Sequence, residues 1–477
     1  MRKIFLFSIF FISLFCSSQT LVNTFKFGDS DLKKLYRISN EDDDKNVFII
    51  KNKENTDFVL FDENFNETNK ISLPNENKSF DFIGYTISNS IYYTYWKKSD
   101  EEIEVKEIDF SKNVVNTTYL PFSLGKKERV LSLFNYNNKL HAFSIDKETN
   151  NFNITVFDNY VIKKNNIDCS AFRFLDSDNK KSDLWDFITE RNGTVYRDGF
   201  KFFKASSENI NQVFATQKKK IFQYDNRLII TLDDNVDFCQ IIFIDLNDYK
   251  ISLKIIGKDR NKPKNNPDSE FKIIGDTNSF IVNDKIFMLT FDGEVITLIV
   301  KDLDNNLLKQ MILSSEKNDF EKIELVEENG SFSKRKLLDK PSVFARRATF
   351  LNPSISGYQK DNQYFLTLGG VSYPQPNSPM LGMFGAIGAI IGNIIEYSSQ
   401  SSVSSYSDKK IIYLKCKLDL NSELVNENIG ESTIDKIRSF LETNNSKEEF
   451  LSPFEFKNNL YLTSINKKEN KFSFYKF

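Results

Sequence analysis

Apolar and polar positions alternate with a period of two over most of this chain, in short runs bounded by polar turns. The clearest copy starts at the turn Asn137-Asn138-Lys139, runs through Leu140 to Ile145, and turns again between Asp146 and Asn151. It then places Phe152, Ile154, Val156 and Phe157 before stopping at Asp158. Alternation of this kind predicts a β-hairpin with one buried face. The same closing strand, an apolar run ending on aspartate, recurs as FVLFD at Asp62, IEVKEID at Asp109, IIFID at Asp245, TLIVKD at Asp302 and IYLKCKLD at Asp419. Helical spacing stands out at one place outside the N-terminal and glycine-rich segments. Ser432-Thr433-Ile434-Asp435 resembles a capping box, and Ile434, Ile437, Phe440 and Leu441 share one face, so a short helix is predicted over 433–442, between strand units.

The closing strands fall roughly 50 residues apart, and the long gap before Asp245 reads as two units, the second marked by Thr194 to Phe203. Units of roughly 40 to 50 residues made of consecutive antiparallel strands have the period of propeller blades. Over nearly all of its length the chain resembles the β-propeller superfamily, in architecture and without the blade motif of any one family. The resemblance implies an all-β ring of about seven blades, with eight as the alternative count. The final hairpin supplies only three strands of its unit. Leu21 to Phe27 is predicted to supply the fourth by pairing within residues 456–477. Leu21, Phe25 and Phe27 would lie on the buried face, with Asn23 the exception, and Thr24 and Lys26 toward water. That pairing would remove two sheet edges. Two β-sandwich domains use similar strands and are the alternative fold.

Composition agrees with strands. Aromatic residues reach 14%, with 46 Phe and 19 Tyr, side chains that suit half-buried pleated surfaces. With 64 basic and 66 acidic side chains there is no broad positive field, so nucleic acid is not an expected partner. Residues 1–18 carry Arg2 and Lys3, an apolar run to Phe15, and the small residues Cys16, Ser17 and Ser18, the pattern of a secretory signal peptide. The expectation is cleavage before Gln19, a single domain over 19–477, and a periplasmic or extracellular, envelope-associated location. The Lys, Asn, Ile and Phe bias resembles exported proteins of AT-rich Gram-negative bacteria. Beyond residue 18 only Cys169, Cys239 and Cys416 remain, so at least one thiol is unpaired, and Cys239 and Cys416 read as small buried apolar residues.

One stretch departs from the strand pattern. Residues 373–408 open with Pro374, Pro376 and Pro379, continue through the glycine-rich apolar run 380–395, and end in a serine tract. On a helix, Gly382, Gly385, Gly388 and Gly392 share one side. Met383, Phe384, Ile387, Ile390, Ile391, Ile394 and Ile395 occupy the other. Such a segment folds back on the scaffold, docks on a partner protein, or touches a membrane surface, and those seven side chains are the candidate contacts. At roughly 24 Å as a helix it is too short to span a bilayer alone.

Catalytic chemistry is sparse. The one histidine, His141, lies on a strand opposite in facing to Leu140 and Ala142, and reads as solvated or satisfied by a turn. One His and three scattered Cys do not make a zinc site, and no Walker loop or serine elbow occurs. Asp176-Ser177-Asp178 and the loop from Asp302 to Asn306 begin like calcium loops but fail the EF-hand pattern, so they read as hairpin turns, as do Asp42 to Asp44 and Asp233-Asp234. The short basic runs at Lys218 to Lys220, Lys334 to Lys336 and Arg346-Arg347 read as solvated faces. No catalytic, cofactor or metal residue is therefore assigned. The expected function is a non-enzymatic binding or scaffold protein whose partner is an envelope protein or glycan. The alternatives are a glycan hydrolase using two carboxylates in a central funnel and a membrane-contacting protein acting through 380–395.

Overall fold

The computed structural model describes residues 19–27, 32–75, 80–189 except 124 and 126, 201–204, 211–260, 275–372, and 409–477 except 428, 445–448, 458 and 467. Within these, five four-strand antiparallel meanders follow one another as sheet 1 (34–74), sheet 2 (81–121), sheet 3 (128–167), sheet 4 (219–257) and sheet 5 (276–313). Sheet 6 is built on Asn352–Lys360, Gln363–Val371 and Lys410–Asp419, and sheet 7 on Glu449–Phe456, Asn459–Asn466 and Lys471–Lys476. Among the described residues four α-helices interrupt the strands: α1 (Leu184–Thr189), α2 (Gln212–Ala215), α3 (Pro341–Ala348) and α4 (Thr433–Thr443).

Turn chemistry explains the meanders. Two-residue turns between first and second strands hold left-handed asparagine or aspartate, with φ of 49° and 58° at Asn137 and Asn138 and the same values at Asp361 and Asn362. This is the backbone twist a tight hairpin needs. The repeated aspartate that closes the third strand caps the next turn. The Asp62 carboxylate accepts from the N–H groups of Asn64 and Asn66, that of Asp109 from Ser111 and Lys112, and that of Asp302 from Asp304 and Asn306.

Sheets 1 to 6 pack face to face in chain order. One apolar cluster joins Ile49 and Phe58 of sheet 1 to Tyr92 and Trp96 of sheet 2, and another joins Tyr95 to Leu140 and Phe157 of sheet 3. Further clusters join sheet 3 to sheet 4 and sheets 4, 5 and 6 to one another. The ring closes where Phe25, Phe454 and Phe474 of sheet 7 meet Phe48 and Phe61 of sheet 1. Thr20–Lys26 pairs antiparallel with Lys471–Lys476, so the start of the described chain completes the sheet at its end. This closed succession of four-strand sheets is a β-propeller-like, all-β architecture, and it displaces the two-sandwich alternative.

Three expectations change in detail. A register shift between Leu21 and Asn23 turns Leu21 to solvent, while Phe25 and Phe27 stay buried and Thr24 and Lys26 are exposed as expected. The described part of the Thr194 to Phe203 stretch, Lys201–Lys204, does not open a sheet of its own but adds in parallel to Lys219–Tyr224 at the first-strand edge of sheet 4. Its Phe202 stacks on Phe134 of sheet 3, its Phe203 meets Phe222 and Phe280 of sheets 4 and 5, and nearby Gln212 accepts from Ser354 of sheet 6. Lys201–Lys204 thus bridges sheets 3, 4 and 5, and α2 beside it reaches sheet 6. Lys218 to Lys220 are buried, not solvated. Lys218 Nζ reaches Asp276 Oδ1 at 2.7 Å, and Lys220 Nζ reaches Asn278 Oδ1 at 2.5 Å and Ser279 O at 2.8 Å, joining sheets 4 and 5. Burial pulls the Lys220 ammonium down to about 7.

The predicted helix is α4, with the Ser432 and Asp435 capping box formed in both directions. The three described cysteines are free and buried. Asp176 and Asp302 form hairpin turns as expected. Asp233 also lies between hairpin strands, but it is fully buried, with Lys258 Nζ 2.5 Å from its carboxylate.

Candidate functional site

Sheet 6 has two unlike faces, and the sequence of its third strand, KIIYLKCKLD, dictates both. Ile412, Leu414, Cys416 and Leu418 point into the cluster shared with sheets 4 and 5. Ile411, Tyr413, Lys415 and Lys417 take the opposite side. Register carries this second face across the sheet, with Tyr358 beside Phe365 beside Lys417, Ser356 beside Thr367 beside Lys415, and Ser354 beside Gly369 beside Tyr413.

Sheet 7 does not lie directly on that face. The outer position of sheet 6 is split between Leu325–Asn329, which pairs with residues 410–414, and Leu424–Val425, which pairs with residues 417–418. Helix α4 then follows. It packs Ile437 and Phe440 on Leu460 and Leu462 of sheet 7 and turns its first turns toward sheet 6. Between sheet 6 and α4 lies a cleft of about 390 Å³, bounded by Tyr358, Phe365, Thr367 and Lys415 on the sheet and by Gly430 to Arg438 opposite. That is the size range of small-molecule sites.

The cleft floor is ionic and paired. Arg438 Nη2 donates to Glu328 Oε2 at 2.6 Å, the Tyr413 hydroxyl donates to Glu328 Oε1 at 2.8 Å, and Lys415 is ion-paired with Asp435. Burial alone would raise the Asp435 carboxyl, yet Lys415 and Ser432 hold it below its ordinary value. Burial, with Glu328 adding to it, pushes the Tyr413 phenol far up, so it stays a neutral donor. Among the described residues each carboxylate that is displaced clearly, from Asp100 to Glu442, moves downward. A general acid for glycan hydrolysis needs the reverse.

The contacts expected at Met383, Phe384, Ile387, Ile390, Ile391, Ile394 and Ile395 lie outside the described residues, as do residues 1–18. The structure does place the root of 373–408. Ser372 N donates to Lys410 O at 2.8 Å, and Val371 pairs with Ile411, so the insertion leaves and re-enters at the end of the hairpin whose Ile411 and Tyr413 line the cleft. His141 is buried, so of its two readings the one satisfied by a turn holds and the solvated one does not. It stacks on Phe134 at 5.2 Å and its Nδ1 lies 3.0 Å from Lys139 O. No group of three or more His, Cys, Asp or Glu side chains able to hold a metal occurs among the described residues. No described helix is long and apolar enough to cross a membrane. The cleft itself escaped sequence reading. Its available signal was Lys415, a charged side chain within the apolar run IIYLKCKL.

No protein-family model matches the chain, and no curated protein matches it. Among solved structures, the Dos1 propeller is similar over 94% of this chain and 78% of its own, at 9% identity and a TM-score of 0.33. A prolyl endopeptidase is similar over 92% of this chain and 46% of its own, at 9% identity and 0.32. A mutant apocarotenoid oxygenase of Synechocystis is similar over 56% of this chain and 58% of its own, at 9% identity and 0.27. The chain thus spans about half the length of the latter two. Likenesses this distant carry no argument about this chain, and its architecture rests on its own sheets and their shared cores.

Proposed function

We propose that this chain is an exported, envelope-associated ring of sheets that binds a partner and does not catalyse a reaction. The observation that carries the reading is the cleft left between sheet 6 and α4, whose buried charges are already paired with one another and whose rim adjoins the root of 373–408. Paired, hydrogen-bonded charges hold a surface in shape. They do not leave a group poised to exchange protons. Among the described residues the carboxylates that are clearly displaced move downward, the reverse of what a general acid needs, which weighs against a hydrolase. The basic, apolar and small-residue order of the first 18 residues supports export.

The test is fractionation of cells expressing the untagged chain, read with an antibody, together with the mass of the mature N-terminus. A start at Gln19 and co-sedimentation with the envelope are expected. A second chain joins Ser372 to Lys409 through a short Gly-Ser turn, which the adjacent strands accommodate. It should keep its melting transition and lose most of its envelope association. Uncleaved protein in the cytoplasm would refute export, and unchanged association of the shortened chain would remove the role of 373–408.

A further inference from the structure

We infer that Arg37, at the seam where sheet 7 meets sheet 1, binds a carboxylate anion through the free edge of its guanidinium; the site is separate from the cleft and goes beyond the role proposed above. Arg37 stands on Lys34–Asn40, on the face that Leu35 and Phe48 turn toward sheet 7. Its guanidinium lies over the Phe454 ring, 4.1 Å from the centroid, and Nη1 donates to Asn46 Oδ1 at 3.2 Å. The ring fixes the plane and the amide fixes the rotation. Nη1 is thereby used, while the Nε and Nη2 N–H groups lie side by side on the other edge with no acceptor among the described residues. That edge takes the two oxygens of a carboxylate in its own plane. Asn46 is fully buried and its Nδ2 likewise has no acceptor, since its Oδ1 is shared between Arg37 and the Ser39 hydroxyl at 3.4 Å. Donors therefore outnumber acceptors at this seam.

The charge at this place is unmatched. Arg260 and Arg438, also held between elements, each meet a carboxylate, Asp292 and Glu328. In the turn that follows the Arg37 strand the aspartates are already engaged. Asp43 accepts from Asn40 and Ser90, Asp44 is paired with Lys457 at 2.6 Å, and Asp42 accepts from Asn138. Glu41 acts on Arg37 through its field, without contact. Burial lowers the guanidinium to about 10, so it stays charged at neutral pH, and the side chain is only half-buried, so an anion from solution can reach it. A partly desolvated cation gains most from a ligand that brings one negative charge and two in-plane acceptors. Phosphate would bring a second charge beside Glu41 and Asp42 to Asp44, so a single carboxylate is the better match.

Saturation-transfer NMR on the intact mature chain tests this, with benzoate as the observed probe and acetate and inorganic phosphate as competitors at fixed ionic strength. Benzoate should receive saturation, acetate should displace it, and phosphate should need about tenfold more to do so. Arg37→Met should abolish the transfer. Arg37→Lys, which keeps the charge and loses the paired N–H edge, should weaken binding by about fivefold or more. Asn46→Asp sets a carboxylate where Nη1 already points, so it should keep the melting transition and still lose benzoate, a result that a misfolded Arg37 variant cannot imitate. Arg129→Met, which removes a cation from sheet 3, should bind like the parent. Absence of transfer to benzoate in the parent, failure of acetate to displace it, or binding unchanged in Arg37→Met and Asn46→Asp overturns the inference. Phosphate competing as well as acetate overturns the choice of carboxylate.

Discussion

Methionine at Lys258 isolates the energetic logic of the seam between sheets 4 and 5. Lys258 and Asp233 are both fully buried and 2.5 Å apart, and Lys258 also donates to Asn235 O at 2.5 Å and Thr277 Oγ1 at 2.8 Å. The Asp233 carboxylate oxygens take no hydrogen bond beyond this counter-ion. Lys258→Met therefore leaves the buried Asp233 carboxylate without its contacting counter-ion, with Lys220 the remaining nearby cation, which costs about 3–5 kcal/mol. Asp233→Asn leaves Lys258 two oxygen acceptors and an amide, so its cost should be about 1–2 kcal/mol. Removing both charges takes away the penalty together with the attraction. The double variant should therefore lie at or above the stability of Lys258→Met alone, with a coupling at least as large as the Asp233→Asn cost, about 1–2 kcal/mol. If the roughly 460 residues from 19 onward melt as one unit, at about 2.1 cal/mol/K per residue, then 4 kcal/mol lowers the melting temperature by about 4 °C. Urea unfolding at pH 7 of the parent, the two singles and the double measures the cycle. Strict additivity of the singles, or a Lys258→Met cost under about 1 kcal/mol, would refute the argument that this pair is held by desolvation.

Three further outcomes follow from the same coordinates. Burial lowers the His141 pKa below its ordinary 6.5, so on acidification the unfolded chain takes the proton first. Stability present above about pH 6.5 should fall as pH drops through that value, at up to about 1.4 kcal/mol per pH unit, and His141→Phe should flatten this slope in urea midpoints between pH 7 and 5.5. Ser432→Ala removes the α4 cap, whose side chain accepts from Asp435 N, and should cost about 1 kcal/mol while raising amide exchange selectively in 433–438. Deleting 19–27 uncovers the Lys471–Lys476 edge and removes Phe25, which packs on Phe61 at 5.1 Å, so light scattering should reveal concentration-dependent oligomers absent from the parent.

The features legible in the sequence were those fixed by local chemistry. The aspartate closing each third strand was visible because it works within four residues of itself, capping its own turn, as at Asp62 and Asp302. The α4 cap was visible for the same reason. The pairing of Thr20–Lys26 with the last strand was legible because a unit of three strands lacks a partner, and the slip at Leu21 showed only as Asn23 breaking the alternation, which does not say on which side of it the phase changes. Lys218 to Lys220 misled because their acceptors, Asp276, Asn278 and Ser279, stand nearly 60 residues away. Read alone, three lysines in a row indicate water, and only a neighbouring sheet edge rich in carbonyl and amide oxygens reverses that.

The candidate site follows from a break in topology more than from any motif. In sheets 1 to 5 the meander supplies its own fourth strand, and each sheet then lies flat on the next. In sheet 6 part of that outer position is already filled by Leu325–Asn329, a strand placed earlier in the chain, so after Asp419 only the two residues Leu424–Val425 are needed. The chain is then free to leave the sheet, and α4 enters the seam. A helix is thicker than a strand and meets a sheet along a line, so sheet 7 is held off and half of the sheet 6 face keeps its polar and aromatic side chains accessible. The ionic bridge from Arg438 to Glu328 spans this gap where an apolar contact between two sheets would otherwise stand. The cleft is thus what remains when a ring of sheets is closed with a helix in one seam, and its chemistry was set by the alternation of Tyr413, Lys415 and Lys417 on a strand whose second face had nothing flat to meet.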